Sequence, residues 1–96
     1  MEIIDKVRKA ADIVKVARIY TKLKKRSYKY IGLCPFHKET EPSFTVDSEK
    51  QLFHCFGCGV GGDIFTLIME KNKLNFPDAL RSLAKRFHVI IPKERT

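Results

Sequence analysis

The 96 residues suffice for one domain, near the lower end of what a single apolar core stabilises comfortably. Hydrophobic residues make up 44% of the chain, and no apolar run is long enough to cross a bilayer. The N-terminus mixes charges and has no signal-peptide core, so we expect a cytoplasmic protein with no membrane partner. Three cysteines are an odd count for a disulfide framework and favour metal ligation instead.

The net charge of +8 is confined to one stretch of the chain. Residues 1–12 hold three acidic and three basic side chains, and residues 39–96 hold eight of each. Residues 13–38 hold eight basic side chains and no acidic one. Because an ordinary solvated surface mixes both signs, this segregation favours a polyanionic partner, nucleic acid above all.

The first part of the chain predicts two helices and a hairpin. An amphipathic helix is expected over residues 2–10, and a second helix begins after Asp12, a favourable N-cap residue. The segments "YTKLKK" and "YKYIGL" flank Arg26-Ser27 and alternate basic with apolar or aromatic residues. This alternation predicts two strands joined by a tight turn.

The second part predicts two more strands, two helices and a short final strand. The strands are expected over residues 44–46 and 51–55. One helix follows Asp63 as its cap and runs to about Lys71, and Asn75 caps another. The segment "VIIP" near the C-terminus predicts the last strand. The pattern as a whole is α+β, with a small antiparallel sheet and helices packed on it.

Two pairs of metal-ligating residue types have the spacing of zinc knuckles. Two residues separate Cys34 from His37 and Cys55 from Cys58, and 17 residues lie between the pairs. A two-residue gap lets a tight turn aim both donor atoms at one point. Two such turns complete the tetrahedron that Zn²⁺ prefers with sulfur and nitrogen donors. Four protein donors leave no position for water, so we predict one structural zinc and no catalytic residue.

Other interpretations of these residues are weaker. "HKE" followed by a Cys-x-x-Cys partly matches the zinc deaminase signature, but His54 stands where that signature has Pro. A deaminase or zinc hydrolase would also need an open coordination position. "GCGVGG" matches a dinucleotide-binding pattern, but it lacks the βαβ context. His54 adjoins Cys55 on a predicted strand, so its side chain is expected on the opposite face, at the surface.

The stretch "GLCPFHKETEPSFTVDSEKQLFHCFGCGVGGDIFTLIM", preceded by "DIV" and "IYTKLKK", resembles the zinc-binding motif at the N-terminus of bacterial DNA primases. The resemblance covers nearly the whole chain. It implies a zinc ribbon on an antiparallel sheet, and it maps the family's four ligands onto Cys34, His37, Cys55 and Cys58. In that family the domain binds the single-stranded DNA template and helps to choose the initiation site for a separate RNA-polymerase domain.

The resemblance also implies domain boundaries and partners for this chain. Residues 1–92 would form the zinc-ribbon domain, and residues 93–96 would begin a linker to a polymerase domain acting in cis or in trans. A replicative helicase would be reached only through a full-length primase. No counterpart of the primase catalytic carboxylates is present, so this chain alone is expected to make no primer. Ser27, where the family often has Gly, and Lys15, where an acid is common, depart from the family pattern.

Side chains that contact nucleic acid are expected on the hairpin and beside it. Single strands are bound by basic grooves together with aromatic rings on which bases stack. The candidates are Lys22, Lys24, Arg26, Lys29, Tyr30 and Lys50. Four phenylalanines are expected to pack in the core instead: Phe36, Phe44, Phe53 and Phe56. The alternative function is a zinc-ribbon protein-interaction module that docks on an acidic partner.

Overall fold

The computed structural model describes residues 2–38 and 41–91. Its four helices are α1 (Glu2–Ala10), α2 (Ile13–Tyr20), α3 (Ile64–Asn72) and α4 (Phe76–Arg86). Its strands are β1 (Leu23–Arg26), β2 (Lys29–Gly32), β3 (Phe44–Asp47), β4 (Leu52–Cys55) and β5 (Gly61–Gly62). The predicted linker at 93–96 lies outside the described residues. Within the described part of the chain, no helix has the length and apolar character needed to cross a membrane.

Three of the helices begin at capping side chains, as the sequence predicts. Asp12 accepts a hydrogen bond from the backbone N–H of Val14 at 3.0 Å, at the start of α2. Asp63 accepts one from the Thr66 N–H at 3.1 Å, at the start of α3. Asn75 does the same at the start of α4, which has Pro77 in its first turn. These caps satisfy backbone donors that no helical carbonyl can reach.

The five strands form one antiparallel sheet in the order β1-β2-β3-β4-β5. Side chains alternate across it, and one face is buried under the helices. Residues of β3 and β4 fill that face: Phe44, Val46, Phe53 and Cys55. Helix α2 packs on β3, and α3 packs on β4 and β5. The predicted α+β fold, an antiparallel sheet with helices on one side, is therefore confirmed.

The secondary-structure prediction fails for two strands, and the hairpin turn lies one residue later than expected, at Ser27-Tyr28. β5 was missed, because two glycines carry no strand propensity and the strand exists only by pairing with Phe53 and His54. The predicted strand at "VIIP" is wrong for residues 89–91, and Pro92 lies outside the described residues. There His88 adopts a left-handed φ of 61°, and the Val89 N–H bonds back to the Ala84 carbonyl at 2.8 Å. The chain thus closes the C-terminus of α4 instead of joining the sheet.

Candidate metal centre and basic face

The two predicted knuckles meet at one point. The ligand atoms of Cys34, His37, Cys55 and Cys58 all lie within 4.8 Å of one another. The Cys34 and Cys58 sulfurs are 3.9 Å apart, close to the separation of about 3.8 Å that two Zn–S bonds at a tetrahedral angle produce. No other group of three or more His, Cys, Asp or Glu side chains in the described residues has metal-binding geometry.

The first knuckle follows β2 and is held from two sides. The backbone N–H of Phe36 points at the Cys34 sulfur, with 3.4 Å between nitrogen and sulfur. The ammonium of Lys71, on α3, donates to the Pro35 carbonyl at 2.8 Å. The helical layer therefore contacts the backbone between the two candidate ligands.

The second knuckle follows β4 and is closed by its own backbone. The Cys55 carbonyl accepts from the Gly59 N–H at 2.8 Å, and the Cys55 N–H donates to the Val60 carbonyl at 2.8 Å. Gly59 has a φ of 84°, a backbone conformation that residues with a Cβ rarely adopt. The Phe56 N–H donates to the Ser43 carbonyl, which ties the knuckle to the start of β3. The strand pairing of β3 with β4 thus continues into the metal centre.

The thiols in this centre have unequal proton affinities. Burial raises the pKa of the Cys34 thiol to about 12, although the hydrogen bond from the Phe36 N–H acts in the opposite direction. Burial also disfavours the Cys55 thiolate, but hydrogen bonds from the Ser43 hydroxyl and the Cys58 N–H outweigh it and lower the Cys55 pKa to about 7. A divalent cation is the group that lets several crowded thiols ionise together, so the donor set fits zinc.

His54 and Cys55 confirm the predicted alternation on β4. The Cys55 side chain is fully buried, whereas His54 is exposed on the open face of the sheet. His54 lies outside the cluster of metal-ligating side chains. Its ring contacts Phe56 edge-on, with 4.5 Å between ring centroids. His54 is therefore a surface residue, as expected from its position next to a buried sulfur.

The three basic candidates within the hairpin strands lie on one face of the sheet. Arg26 pairs directly with Lys29, and Lys24 lies two residues before Arg26 on the same face of β1. The register continues this face through Thr45, Asp47, Leu52 and His54, away from the helices. Lys22 precedes β1 and is exposed, and Lys50 is exposed in the turn between β3 and β4.

Tyr30 lies on the opposite face from these bases. It pairs with Lys25 and Val46, and its ring packs at the margin of the core. The guanidinium of Arg18, on α2, lies 5.3 Å from the ring centroid. The prediction that Tyr30 stacks on a base depends on its basic neighbours along the strand, but adjacent residues of a strand point to opposite faces. The assignment of Tyr30 to nucleic acid stays a prediction.

The four phenylalanines expected in the core behave differently. Phe44 and Phe53 are buried, and Phe36 packs against both rings. Phe56 is 74% exposed, so the expectation of core packing is wrong for this residue. It sits inside the second knuckle, whose backbone is closed by the hydrogen bond from the Gly59 N–H to the Cys55 carbonyl. Its exposure continues the alternation of β4, in which Leu52 and His54 are exposed and Phe53 and Cys55 are buried, because the Phe56 N–H extends the pairing with β3.

A closed tetrahedral donor set on knuckles at the ends of an antiparallel sheet defines a zinc ribbon with one structural zinc. The model of the CHC2 zinc finger family matches residues 1–96, and the chain belongs to this family. The resemblance to the zinc-binding domain of bacterial DNA primases is thereby confirmed.

Individual relatives agree with this assignment. The chain is 48% identical to a DNA primase of Listeria monocytogenes, over 98% of this chain and 16% of the relative. It is also 48% identical to a DNA primase of Halalkalibacterium halodurans, over 96% of this chain and 15% of the relative. A crystal structure of Aquifex aeolicus primase, containing zinc-binding and RNA-polymerase domains, matches with a TM-score of 0.86 and 40% identity. That match covers 94% of this chain and 22% of the primase chain. The chain thus spans about one sixth of the length of these curated relatives.

Proposed function

We propose that this chain is the template-binding domain of a DNA primase, which holds single-stranded DNA while a separate RNA-polymerase domain makes the primer. The observation that carries the proposal is the open sheet face, on which Lys24, Arg26 and Lys29 stand together without an acid on the hairpin itself. Lys24 and Arg26 are exposed and Lys29 is half-buried. Phosphates of a single strand are the ligand that such a row of cations suits.

The basic hairpin leads directly into the metal centre. β2 ends at Gly32, and Cys34 follows two residues later. A Cβ on Gly32 would lie 2.2 Å from the Lys22 carbonyl oxygen, so the strands are close at this point. The zinc therefore fixes the open end of the hairpin, next to Lys22, and the pairing of β1 with β2 places Lys24, Arg26 and Lys29 between this end and the turn. In this proposal the metal is structural, and it acts on the template only by positioning these cations.

In this proposal, primer synthesis and contact with the helicase are carried out outside this chain. In this proposal the polymerase domain acts in cis or in trans, because the Aquifex primase chain that resembles this one contains such a domain. A replicative helicase would be contacted only through a full-length primase, and the proposed setting is the cytoplasm. Among the candidate contacts, Lys22 and Lys50 flank the central row, and Tyr30 would need to be reached from the helix side.

A salt titration with a matched control tests the proposal. Changing Lys24, Arg26 and Lys29 together to Ala should weaken binding of a single-stranded oligonucleotide. If all three contact phosphate, the slope of log affinity against log salt should flatten by about two. The control removes three exposed bases from the helices, Lys9, Lys85 and Arg86, and so changes the net charge equally. It should leave the slope nearly unchanged.

The alternative, a module that docks on an acidic protein, predicts another outcome. If the zinc-loaded hairpin variant binds DNA with the wild-type affinity and slope, the basic face is not the template surface. If the hairpin and control variants lose the same affinity, net charge and not position is responsible. Either result would contradict the proposal.

A further inference from the structure

Phe56 is an aromatic side chain that the proposed function leaves unused. It lies between Cys55 and Cys58 and is 74% exposed, although Phe44 and Phe53 on the neighbouring strands are buried. An isolated exposed apolar residue needs no explanation, but Phe56 is not isolated. It adjoins the open sheet face and forms part of a groove there.

The groove combines one aromatic wall with charged ends. It encloses about 280 Å³ and is lined by Lys29, Thr45, Asp47, Lys50, Leu52, Phe53, His54 and Phe56. This volume is just below the range of about 300–1,000 Å³ typical of sites for drug-sized ligands, and the groove is open to solvent. The His54 and Phe56 rings meet at an interplanar angle of 68°, and about three quarters of the Phe56 side chain remains open to solvent, at 74% exposure.

The charges around the groove select an anionic occupant. Lys29 and Lys50 line it, and Lys24 and Arg26 continue the same face on β1. One oxygen of Asp47, the acidic residue among the lining side chains, accepts from two backbone N–H groups of the β3–β4 turn. The cores of protein–protein interfaces are depleted in lysine, whereas sites for single strands combine lysine with exposed aromatic rings.

We propose that Phe56 is the stacking platform for one unpaired base of a single strand, with Lys29 and Lys50 next to the flanking phosphates. This inference rests on the proposed function and identifies where the strand crosses the zinc knuckle. Every base has a face that can stack on a phenyl ring, so the contact contributes affinity and position along the strand without sequence preference. Because Phe56 lies within a knuckle, zinc loss removes the platform together with the hairpin geometry.

Substitutions at this single position test the stacking. Phe56→Ala should weaken binding to oligothymidine about 5- to 150-fold, the range equivalent to about 1–3 kcal/mol per stacked base. Phe56→Leu should lose nearly as much, because it keeps apolar surface without a ring. Phe56→Trp should bind at least as well as wild type. All three should keep their zinc and the wild-type salt slope, because the side chain is exposed and uncharged.

Two controls separate stacking from charge and from general apolar contact. An abasic strand of equal length carries the same phosphates, so wild type should prefer oligothymidine and Phe56→Ala should lose most of that preference. Tyr28→Ala removes another exposed ring, on the hairpin turn, and should keep the preference. The chain has no Trp, so Phe56→Trp also provides a single tryptophan, which can be excited selectively over the three tyrosines and which a stacked base should quench. Ile90→Trp, beyond α4, should not be quenched.

The outcomes distinguish this inference from the proposed function. If Phe56→Ala or Phe56→Leu binds oligothymidine like wild type, or if the tryptophan at that position is not quenched, Phe56 is not a stacking platform. The template proposal would then still stand on the hairpin variant. If wild type binds neither oligothymidine nor the abasic strand, both proposals fail.

Discussion

Lys71 offers a test of whether the helical layer holds the metal centre. Its ammonium donates to the Pro35 carbonyl at 2.8 Å and lies 5.7 Å from the centroid of the Tyr20 ring. The Tyr20 hydroxyl in turn accepts from the Asn72 amide at 3.0 Å. These contacts connect α2, α3 and the backbone between Cys34 and His37. We therefore expect Lys71→Met to loosen the first knuckle while keeping the aliphatic stem.

The magnitude follows from the two contacts that Lys71→Met removes. A hydrogen bond from a charged donor is worth about 1.5–3 kcal/mol, and this one takes the lower value because Lys71 is half-exposed. A cation–π contact at an exposed site adds about 0.5–1 kcal/mol. The free energy of unfolding should therefore fall by about 2 kcal/mol. If the whole loss is felt at the metal, zinc should dissociate up to about 30-fold faster.

Urea unfolding at saturating zinc and zinc release to a chromogenic chelator measure the two effects. With a urea dependence of about 1–2 kcal/mol per molar, the midpoint should fall by about 1–2 M. Lys85→Met, on the exposed side of α4, is the matched control and should change stability by less than about 0.5 kcal/mol. Wild-type zinc release from Lys71→Met, or equal effects of the two variants, would refute the reasoning.

Three further predictions concern single positions. His37→Ala should lose zinc and His54→Ala should retain it, as metal analysis after gel filtration would show; the reverse would overturn the ligand assignment. Ser27→Gly should raise the free energy of unfolding by about 1 kcal/mol, because Ser27 has a φ of 60° that glycine adopts without strain; a lower urea midpoint would contradict this. Burial opposes ionisation of Asp63, but the Arg8 guanidinium and the Thr66 N–H hold its pKa below the ordinary 3.8. The ionised form therefore stabilises the fold above pH 3.8, and this contribution is lost as the pH falls through the lowered folded-state pKa. Wild type should exceed Asp63→Asn in stability at neutral pH by up to about 1 kcal/mol, with the gap closing in acid; a gap independent of pH would argue against the ion pair.

Much of the fold and the metal centre could be predicted from local signals. Asp12, Asp63 and Asn75 mark helix starts by the chemistry of their side chains, and the structure uses all three as caps. The knuckles are visible because a two-residue spacing restricts where both donor atoms can point. In these cases the physical cause lies within a few residues of the sequence.

The features that were missed depend on contacts between distant segments. β5 is a strand because Gly61 and Gly62 pair with β4, and a Cβ on Gly61 would approach the His54 ring to 2.9 Å. The exposure of Phe56 depends on strand pairing that continues past Cys55, because the Phe56 N–H bonds to the Ser43 carbonyl and so maintains the alternation of β4. Tyr30 lies on the core face of β2, as its pairing with Lys25 and Val46 requires, and its role toward nucleic acid stays a prediction.

The hairpin itself carries a conflict between folding and the proposed binding. Arg26 and Lys29 are directly opposed across β1 and β2, and like charges in that position destabilise a sheet. Arg26→Glu would replace this repulsion with an opposite-charge pair, which should raise the free energy of unfolding by about 0.2–1 kcal/mol. The same change removes one cation from the proposed strand path and adds an anion, so affinity for single-stranded DNA should fall by more than tenfold at low salt.

Arg26→Glu should therefore raise the free energy of unfolding and lower the affinity for single-stranded DNA. Arg26→Gln separates the contributions, since it removes the repulsion without adding an anion and should fall between wild type and Arg26→Glu in both assays. A variant that is less stable and binds less well would mean that Arg26 supports the fold instead of opposing it. If the Arg26→Glu variant is more stable and binds with wild-type affinity, Arg26 does not contribute to template binding. Opposite shifts would indicate that the repulsion between Arg26 and Lys29 lowers the stability of the fold while the same two cations bind phosphate.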